Sequence, residues 1–427
     1  MKESNYNKLY KRRILFNSMT CALAVVDKDY FEAINIVKNC ETPTTPSMIK
    51  LIDNMKRAGF LIGGADDEIS RLKYRYYKNC FREDSFYLTI APTLDCNFRC
   101  PYCYEKHIPG EMTIEIQNSI LEFLYRQMSQ VKRLHVEWYG GEPLLAPRAI
   151  RYLSEKINLE AQRANIIYSA SMVSNGYLLN KVNIKLLQDC QIKRVQVTID
   201  GPPNIHNLRR KLKGASIKDT FTRILANIQE VIFCGIKVKL RINIDTTNMG
   251  DLDELFSILV KSGLGEIPFY FGCVEKSSDF CMGSEDYLEY EEFAKISTAL
   301  YRTAIRTGMQ KKYIPFPYPK RVFCGACRKA SLVIDPKGNL YKCWHDIGNA
   351  EEIVGNIIDF SQQDESKNPN FIKWFQKSPF ENKECIQCYY LPICMGGCPK
   401  KRMNGKKSCE RWRYIMEELI AIKMNRL

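Results

Sequence analysis

From Ser85 to about residue 320 the chain alternates short apolar runs with longer stretches whose apolar residues recur every three or four positions. The runs FYLTIAP, RLHVEWYG, IIYSASMVSNG, RVQVTIDG, KVKLRINID and IPFYFGCVEK predict strands. The stretches TIEIQNSILEFLYRQM, NKVNIKLLQDC, TFTRILANIQEVIF, DLDELFSILVKSG and YLEYEEFAKISTALYRTAI predict helices between or after them. Strand-then-helix units in this order predict an α/β fold with a parallel sheet and helices outside it. Before Ser85 the pattern differs. It predicts a strand pair (ILFN, ALAVVD), a helix from Tyr30, a Thr/Pro turn, a helix from Met48 and a short GFLI strand. Acidic Asp66, Asp67 and Glu68 then open a helix to about Lys78. After about Phe323 the texture turns cysteine-rich and loop-rich, with a last helical stretch from about Arg411. The expected domains are 1–84, a small α+β module; 85–320, the strand-helix repeat; and 321–427, the cysteine-rich region.

With 427 residues, 45% of them hydrophobic, the chain is long enough for two or three domains with a sizeable core. Basic Lys8, Lys11, Arg12 and Arg13 precede ILFNSMTCALAVV in the manner of a signal peptide, but Asn17, Ser18 and Thr20 interrupt the apolar run and Asp27 ends it. The strand pair is the better reading, and no stretch is apolar enough to span a membrane. The net charge of +15 suits an anionic partner. No basic run is interleaved with aromatics as nucleic-acid binding would require, so a solvated basic surface is expected and no nucleic acid. The 18 cysteines change the picture more. Their C-x2-C clusters favour metal ligation over disulfides, which implies reduced thiols and a cytoplasmic protein.

The first cluster is LTIAPTLDCNFRCPYCYE, with Cys96, Cys100 and Cys103 at C-x3-C-x2-C and Tyr102 just before the third. Three thiolates on one loop can hold three corners of a [4Fe–4S] cluster and leave one iron open for chemistry. A zinc knuckle is the alternative; it needs a fourth ligand, and His107 is the nearby candidate. The spacing resembles the signature of the radical S-adenosylmethionine (SAM) enzymes, whose fold is an incomplete barrel of six strand-helix units. That resemblance implies a partial (β/α)6 barrel here, with SAM chelated to the open iron and cleaved by one electron to a 5'-deoxyadenosyl radical. Further motifs extend it. Gly140, Gly141, Glu142 and Pro143 resemble the family's Gly-Gly-Glu-Pro element at the SAM ammonium. Ser174, Asn175 and Gly176 resemble its Thr-Asn-Gly element, though a strand-ending turn has the same composition. Thr198, Asp200 and Gly201, with His206 and Arg210 downstream, resemble the string that contacts the SAM amino-acid and ribose groups. Arg210 would pair with the carboxylate through its planar fork. Arg209 is adjacent, and the choice of Arg210 rests on spacing. His206 reads as structural. Arg241 and Asn243 read as cavity-lining or as part of a buried strand salt bridge.

The C-terminal cysteines repeat the signal. Cys324 and Cys327 precede a Gly338-x4-Cys343 element, followed by Cys385-x2-Cys388-x5-Cys394-x3-Cys398 and Cys409. This run resembles the SPASM domain, which implies two auxiliary [4Fe–4S] clusters. By the resemblance, Cys385, Cys388, Cys394 and Cys409 bind the distal one; Cys343 and Cys398, with Cys324 and Cys327, bind the proximal one. Cys324 and Cys327 stand close together, which leaves open a three-ligand proximal cluster with a free iron. Two structural zinc sites are the competing reading. Cys21, Cys40, Cys80, Cys190 and Cys234 read as ordinary small core residues. Cys273 and Cys281 lie near the expected active-site mouth, as packed thiols or as a hydrogen-atom donor.

The resemblance implies a peptide or protein substrate and an electron donor such as flavodoxin or ferredoxin. One branch, the anaerobic sulfatase-maturing enzymes, oxidises Cys or Ser to formylglycine. Those enzymes begin close to the radical cluster and carry an acidic base directly after the Cys of the G-x4-C element. Here some 85 residues precede the barrel, and Trp344 and His345 follow Cys343, with Asp346 later. The other branch matures ribosomally made peptides by forming thioethers, carbon–carbon links or epimers. The N-terminal module, by element order, resembles the leader-recognition element of such systems; a structural cap is the alternative. A non-catalytic cluster-binding module and a nucleic-acid-modifying radical enzyme complete the candidates.

Overall fold

The computed structural model describes residues 1–10, 13–214, 218–275, 287–309, 316–360 and 364–424. The chain divides into two compact units. One comprises Met1–Phe81, Pro315–Arg328 and Lys373–Leu427; the other comprises Arg82–Ile314 and Lys329–Ile372. The N-terminal segment and most of the cysteine-rich C-terminus therefore share a unit.

In that first unit, β1 (Lys2–Glu3) pairs with β5 (Leu61–Ile62), and β2 (Asn7–Tyr10), β3 (Ile14–Asn17) and β4 (Leu23–Val25) form an antiparallel sheet. The expected strand pair is β3–β4; β2, which is mostly polar, extends it. Helix α1 (Lys28–Lys38) is capped by Asp27, α2 (Pro46–Ala58) by Thr45 with Pro46 in its first turn, and α3 (Glu68–Cys80) by Asp67. Each cap side chain accepts a backbone N–H that the helix itself leaves unpaired. Tyr30, Ile34, Met48, Ile52 and Phe60 fill the core of this module. The buried carboxylate of Glu68 accepts from Ser4 Oγ at 2.6 Å and Asn5 N at 2.7 Å, tying the N-terminus to α3. The C-terminal part contributes three short α-helices and a longer terminal one. Tyr389 OH donates to Phe16 O at 2.7 Å and Tyr10 OH meets Tyr390 OH at 3.2 Å, so the β2–β4 sheet is stitched to the cysteine-rich region.

The second unit holds six parallel strands in chain order: β6 (Ser85–Ile90), β7 (Arg133–Trp138), β8 (Ile167–Ser174), β9 (Ile192–Thr198), β10 (Lys237–Ile244) and β11 (Phe269–Cys273). Helices α4 (Ile114–Met128), α5 (Pro147–Arg163), α6 (Lys181–Asp189), α7 (Pro203–Arg209), α8 (Thr220–Phe233), α9 (Leu252–Lys261) and α10 (Tyr290–Arg306) accompany them. This is the α/β fold of a partial (β/α)6 barrel. Alternation along each strand sends one set of side chains to the helices and the other to the inner face. Leu134, Val136 and Trp138 of β7 are buried, while His135 and Glu137 face Ser169 and Ser171 of β8. The sheet does not stop at β6. Strand β12 (Ser331–Ile334) adds to it in parallel, and β13 (Asn339–Tyr341) and β14 (Gly355–Asn356) follow antiparallel. Helix α11 (Pro369–Gln376) then leads to α12 (Lys383–Ile386), α13 (Leu391–Cys394), α14 (Pro399–Met403) and α15 (Trp412–Met424). No helix among the described residues is long and apolar enough to cross a membrane.

Candidate functional site

The loops after the C-terminal ends of β6, β7, β8 and β9 carry the predicted motifs, as a parallel barrel requires of its active site. The loop after β6 is built by local hydrogen bonds. Thr93 Oγ1 donates to Gly110 O at 2.6 Å and accepts from Asp95 N at 3.1 Å, and Asp95 Oδ1 accepts from Cys96 N at 2.8 Å. Gly141 N and Glu142 N then donate to Thr93 O and Asp95 O at 3.3 and 3.0 Å, zipping the Gly-Gly-Glu-Pro turn onto the cysteine loop. Only glycine fits this contact. A Cβ on Gly140 (φ +105°) would lie 2.4 Å from Thr93 O, and one on Gly141 would lie 2.2 Å from Asp95 O.

Glu142, expected among the SAM contacts, is fully buried and fully engaged. It accepts from Ser174 Oγ at 3.0 and 3.1 Å, from Asn175 N at 2.7 Å and from Leu144 N at 3.2 Å. It braces the turn after β7 against the end of β8, and burial raises its carboxyl to about 7. Asn175 passes this order on: its Nδ2 donates to Asn97 Oδ1 at 2.7 Å and reaches Cys96 Sγ at 3.8 Å.

Across the same site, Tyr102 OH donates to Asp200 and accepts from Arg210 Nη1 at 2.9 Å. Asp200 follows Thr198, the last residue of β9, and is held by Asn243 N at 3.0 Å. Its backbone carbonyl accepts from Asn248 Nδ2 at 2.6 Å, and its N–H donates to His206 Nδ1 at 3.4 Å. The two arginines separate by partner. Arg209 Nη1 donates to Asp245 Oδ1 at 2.7 Å, and its guanidinium lies over the Tyr102 ring. Arg210 has no carboxylate ion-pair partner among the described residues, and its Nε is buried without a hydrogen bond. Asn243 reads as cavity-lining from the sequence, whereas nothing there singles out Asn97, Asn248 or Tyr139; the polar Asn248 at full burial is a signal that only the structure reveals. Arg241 makes no salt bridge among the described residues; it donates to Asn243 Oδ1 at 2.7 Å and lies beside Tyr270.

These residues fit a thiolate-held cluster with an anionic group beside it. Burial pushes all three thiols of the loop up, Cys103 to about 12, and Cys100 is offset in part by Arg210. In such surroundings a metal, by displacing the proton, is what makes a thiolate. Among the described residues no three His, Cys, Asp or Glu side chains converge as a single metal ion requires. A [4Fe–4S] cluster takes one thiolate on each iron, so its ligands do not share a point. His107 Nε2 stands 3.7 Å from Cys103 Sγ.

The C-terminal cysteines fall into groups. Cys385, Cys388, Cys394 and Cys409 line one cavity of about 70 Å³, together with Arg402 and Arg413. The turn that builds it is Met395-Gly396-Gly397, three successive residues with positive φ between Cys394 and Cys398. A Cβ on Gly397 would lie 1.5 Å from Ser408 O, so glycine lets the segment carrying Cys409 cross there. Cys324 precedes and Cys327 ends a single 3-10 turn, Gly325–Cys327, in the same unit. Hydrogen bonds from Cys324 and Tyr76, with Arg402 nearby, pull the Cys327 thiol down. Cys398 is in this unit; Cys343 belongs to the barrel unit, at the end of β13. After it, His345 stacks on Tyr104 at 4.2 Å and Trp344 lies 4.8 Å from the Tyr139 ring, so this turn adjoins the residues next to Cys103 and Gly140. Cys273 is half-buried, its thiol near the carbonyls of Val274 and Leu288. Cys281 lies outside the described residues.

Residues 90–263 match the model of the radical SAM superfamily. The cysteine-type anaerobic sulfatase-maturating enzyme of Clostridium novyi is 21% identical, over 79% of this chain and 96% of its own length. The radical SAM cyclopropyl synthase TigE of Paramaledivibacter caminithermalis is 23% identical, over 96% of this chain and 93% of its own. Among solved structures, anSMEcpe with bound AdoMet and Cp18Cys peptide aligns with TM-score 0.59 at 20% identity, over 80% of this chain and 99% of that one. Streptococcus suis SuiB bound to S-adenosylmethionine aligns with TM-score 0.53 at 14% identity, over 96% and 97%.

Proposed function

We propose, from the premise that residues 90–263 of this enzyme are a radical SAM domain, that it is a peptide maturase. It would abstract a hydrogen atom from a ribosomally made precursor peptide and so install a thioether, a carbon–carbon link, an epimer or a similar modification. The observation that carries this reading is span. The sulfatase-maturating relative covers its own length with 79% of this chain, whereas TigE and SuiB, like this chain, extend over 96% of it. One SuiB structure is described as bound to the precursor peptide SuiA.

A [4Fe–4S] cluster with SAM, held by Cys96, Cys100 and Cys103, would supply one-electron cleavage of SAM and the hydrogen abstraction that follows. The chain's own residues would prepare for it. Gly140 and Gly141 bring main-chain groups close without a side chain between. Arg210, anchored through Tyr102, presents a buried cation for the SAM carboxylate, and Asp200 presents an acceptor held by Asn243. Asn175 and Thr198 border the same space. Cys385, Cys388, Cys394 and Cys409 would hold one auxiliary cluster, and Cys324, Cys327 and Cys398 of the same unit remain the proposed source of the second. Their task would be to take the electron that the substrate radical gives up; the external donor would be a flavodoxin or ferredoxin.

The N-terminal module would hold the precursor's leader. Strand β4 pairs only with β3 among the described strands, and beside it lies a cleft of about 370 Å³ lined by Leu23, Val25, Tyr30, Met48, Leu51 and Phe60. An extended peptide can add to such an edge by main-chain hydrogen bonds, with alternate side chains in the cleft. The test is co-expression with each short open reading frame neighbouring the gene, followed by mass spectrometry. A mass change in one peptide that needs Cys96, Cys100 and Cys103 supports the reading. If no peptide changes while a cysteine-containing sulfatase peptide is converted to formylglycine in vitro, the sulfatase-type function replaces it.

A further inference from the structure

Cys80 ends α3 and reads from sequence as a small core residue. The structure gives it unusual company. It is 2% exposed and packs in one buried group with Cys327, Tyr76, Leu72 and Val322, with Cys324 and Cys385 against that group. Tyr76 and Cys80 are four residues apart and therefore share a face of α3. Tyr76 lies in the same buried group as both Cys80 and Cys327. Cys80, Cys324 and Cys327 thus pack in or against one buried group inside one compact unit, with the Tyr76 ring among them. By contrast Cys190, equally buried, has the Ile150 carbonyl and the Ser154 side chain as neighbours of its sulfur. Packing alone gives no reason for a thiol from the N-terminal segment to meet the pair whose spacing left the proximal cluster's fourth place open.

We propose that Cys80 is a thiolate ligand of the auxiliary [4Fe–4S] cluster held by Cys324 and Cys327. The inference rests on the reading that the C-terminal cysteines bind clusters. On binding, the Cys80 thiol gives its proton to solvent and forms one Fe–S bond; no redox change is involved. A cluster offers four iron corners, and Cys80, Cys324, Cys327 and Cys398 of this unit are four candidates for them. The cluster is then closed by protein, with no iron left for substrate. Its role is electron transfer, and the N-terminal module becomes part of its coordination.

The test uses the full chain, purified and reconstituted without oxygen, in the Cys96→Ala/Cys100→Ala/Cys103→Ala background so that only auxiliary clusters contribute. Iron, sulfide and the electron paramagnetic resonance of the dithionite-reduced protein are measured for this parent and after adding Cys80→Ala, Cys80→Ser or Cys190→Ala. The parent is expected to hold about eight irons. Cys80→Ala is expected to alter one of two auxiliary signals and to let added 2-mercaptoethanol change that signal again by filling the vacated corner. Cys80→Ser keeps the packing volume, which guards against misfolding, and is expected to shift the same signal. Cys190→Ala is expected to match the parent. Spectra of both Cys80 variants superimposable on the parent's at equal iron content would overturn this inference and leave the two-cluster reading standing. A parent without auxiliary iron would overturn both.

Discussion

At the scale of single residues the site depends on backbone contacts that no side chain can replace. Gly141 lies so close to Asp95 O that Gly141→Ala must part the cysteine loop from the turn after β7. SAM affinity in that variant is expected to fall at least about tenfold, roughly 1.4 kcal/mol, by equilibrium dialysis on reconstituted protein. His135 offers a pH test away from the cysteines. Burial and the nearby Arg194 lower its pKa to about 4, and it sits between Ser169 and Ser171 at 2.8 and 2.9 Å. The folded protein therefore binds fewer protons than the unfolded chain between the ordinary histidine pKa and about 4. Stability from this group is present above about pH 6.5 and is lost as pH falls through that window. His135→Gln is expected to flatten the decline of Tm from pH 6.5 to 4; an unchanged slope would refute the assignment. The motif segments stand out in the sequence because the chemistry they resemble fixes their spacing. Their supports do not: nothing in the sequence pairs Glu142 with Ser174, Asn175 and Leu144, Asn248 with Asp200 or Cys80 with Cys327.

At the scale of elements, strands β6 to β11 were legible because both faces of a parallel sheet under helices are largely apolar. Helix α5, which begins at Pro147 directly after the Gly-Gly-Glu-Pro turn, was not among the predicted stretches; its many charged residues dilute the apolar stripe. The addition of β12 to β6 was also illegible, since four residues carry too little pattern to name a partner. The free edge of β4 can be tested directly. Val26 N donates to Arg13 O and Asn17 N to Ala22 O, so by alternation the Val25 N–H points away from β3. Val25 is 65% exposed. Val25→Pro removes that outward donor and spares the β3 ladder. Precursor binding by fluorescence anisotropy is expected to weaken at least about tenfold, with SAM cleavage in the absence of peptide unchanged; equal affinity would exclude β4 as the docking edge.

At the scale of the whole molecule, the sequence suggests a boundary near residue 84 and a separate cysteine-rich tail, yet Met1–Phe81 and Lys373–Leu427 share one compact unit. Such joins between distant segments leave no local signature, because the packed residues, such as Leu72, Tyr76, Phe380, Leu391 and Met395, each look like ordinary core. Leu391→Ala opens a cavity in that shared core and is expected to destabilise the unit by about 2–5 kcal/mol. Hydrogen exchange is expected to rise in α3 as well as in the C-terminal helices, with β6 to β11 unaffected. Protection lost only near residue 391 would show that the two segments fold independently.

The most direct measurement is on the full chain, purified without oxygen and reconstituted. Iron and sulfide are counted, SAM and dithionite are added, and 5'-deoxyadenosine is assayed. About twelve irons per chain and nucleoside formation that vanishes in the Cys96→Ala/Cys100→Ala/Cys103→Ala variant are the expected result. Zinc in place of iron, with no SAM cleavage by protein never exposed to oxygen, would contradict the account and leave a metal-binding module in its place.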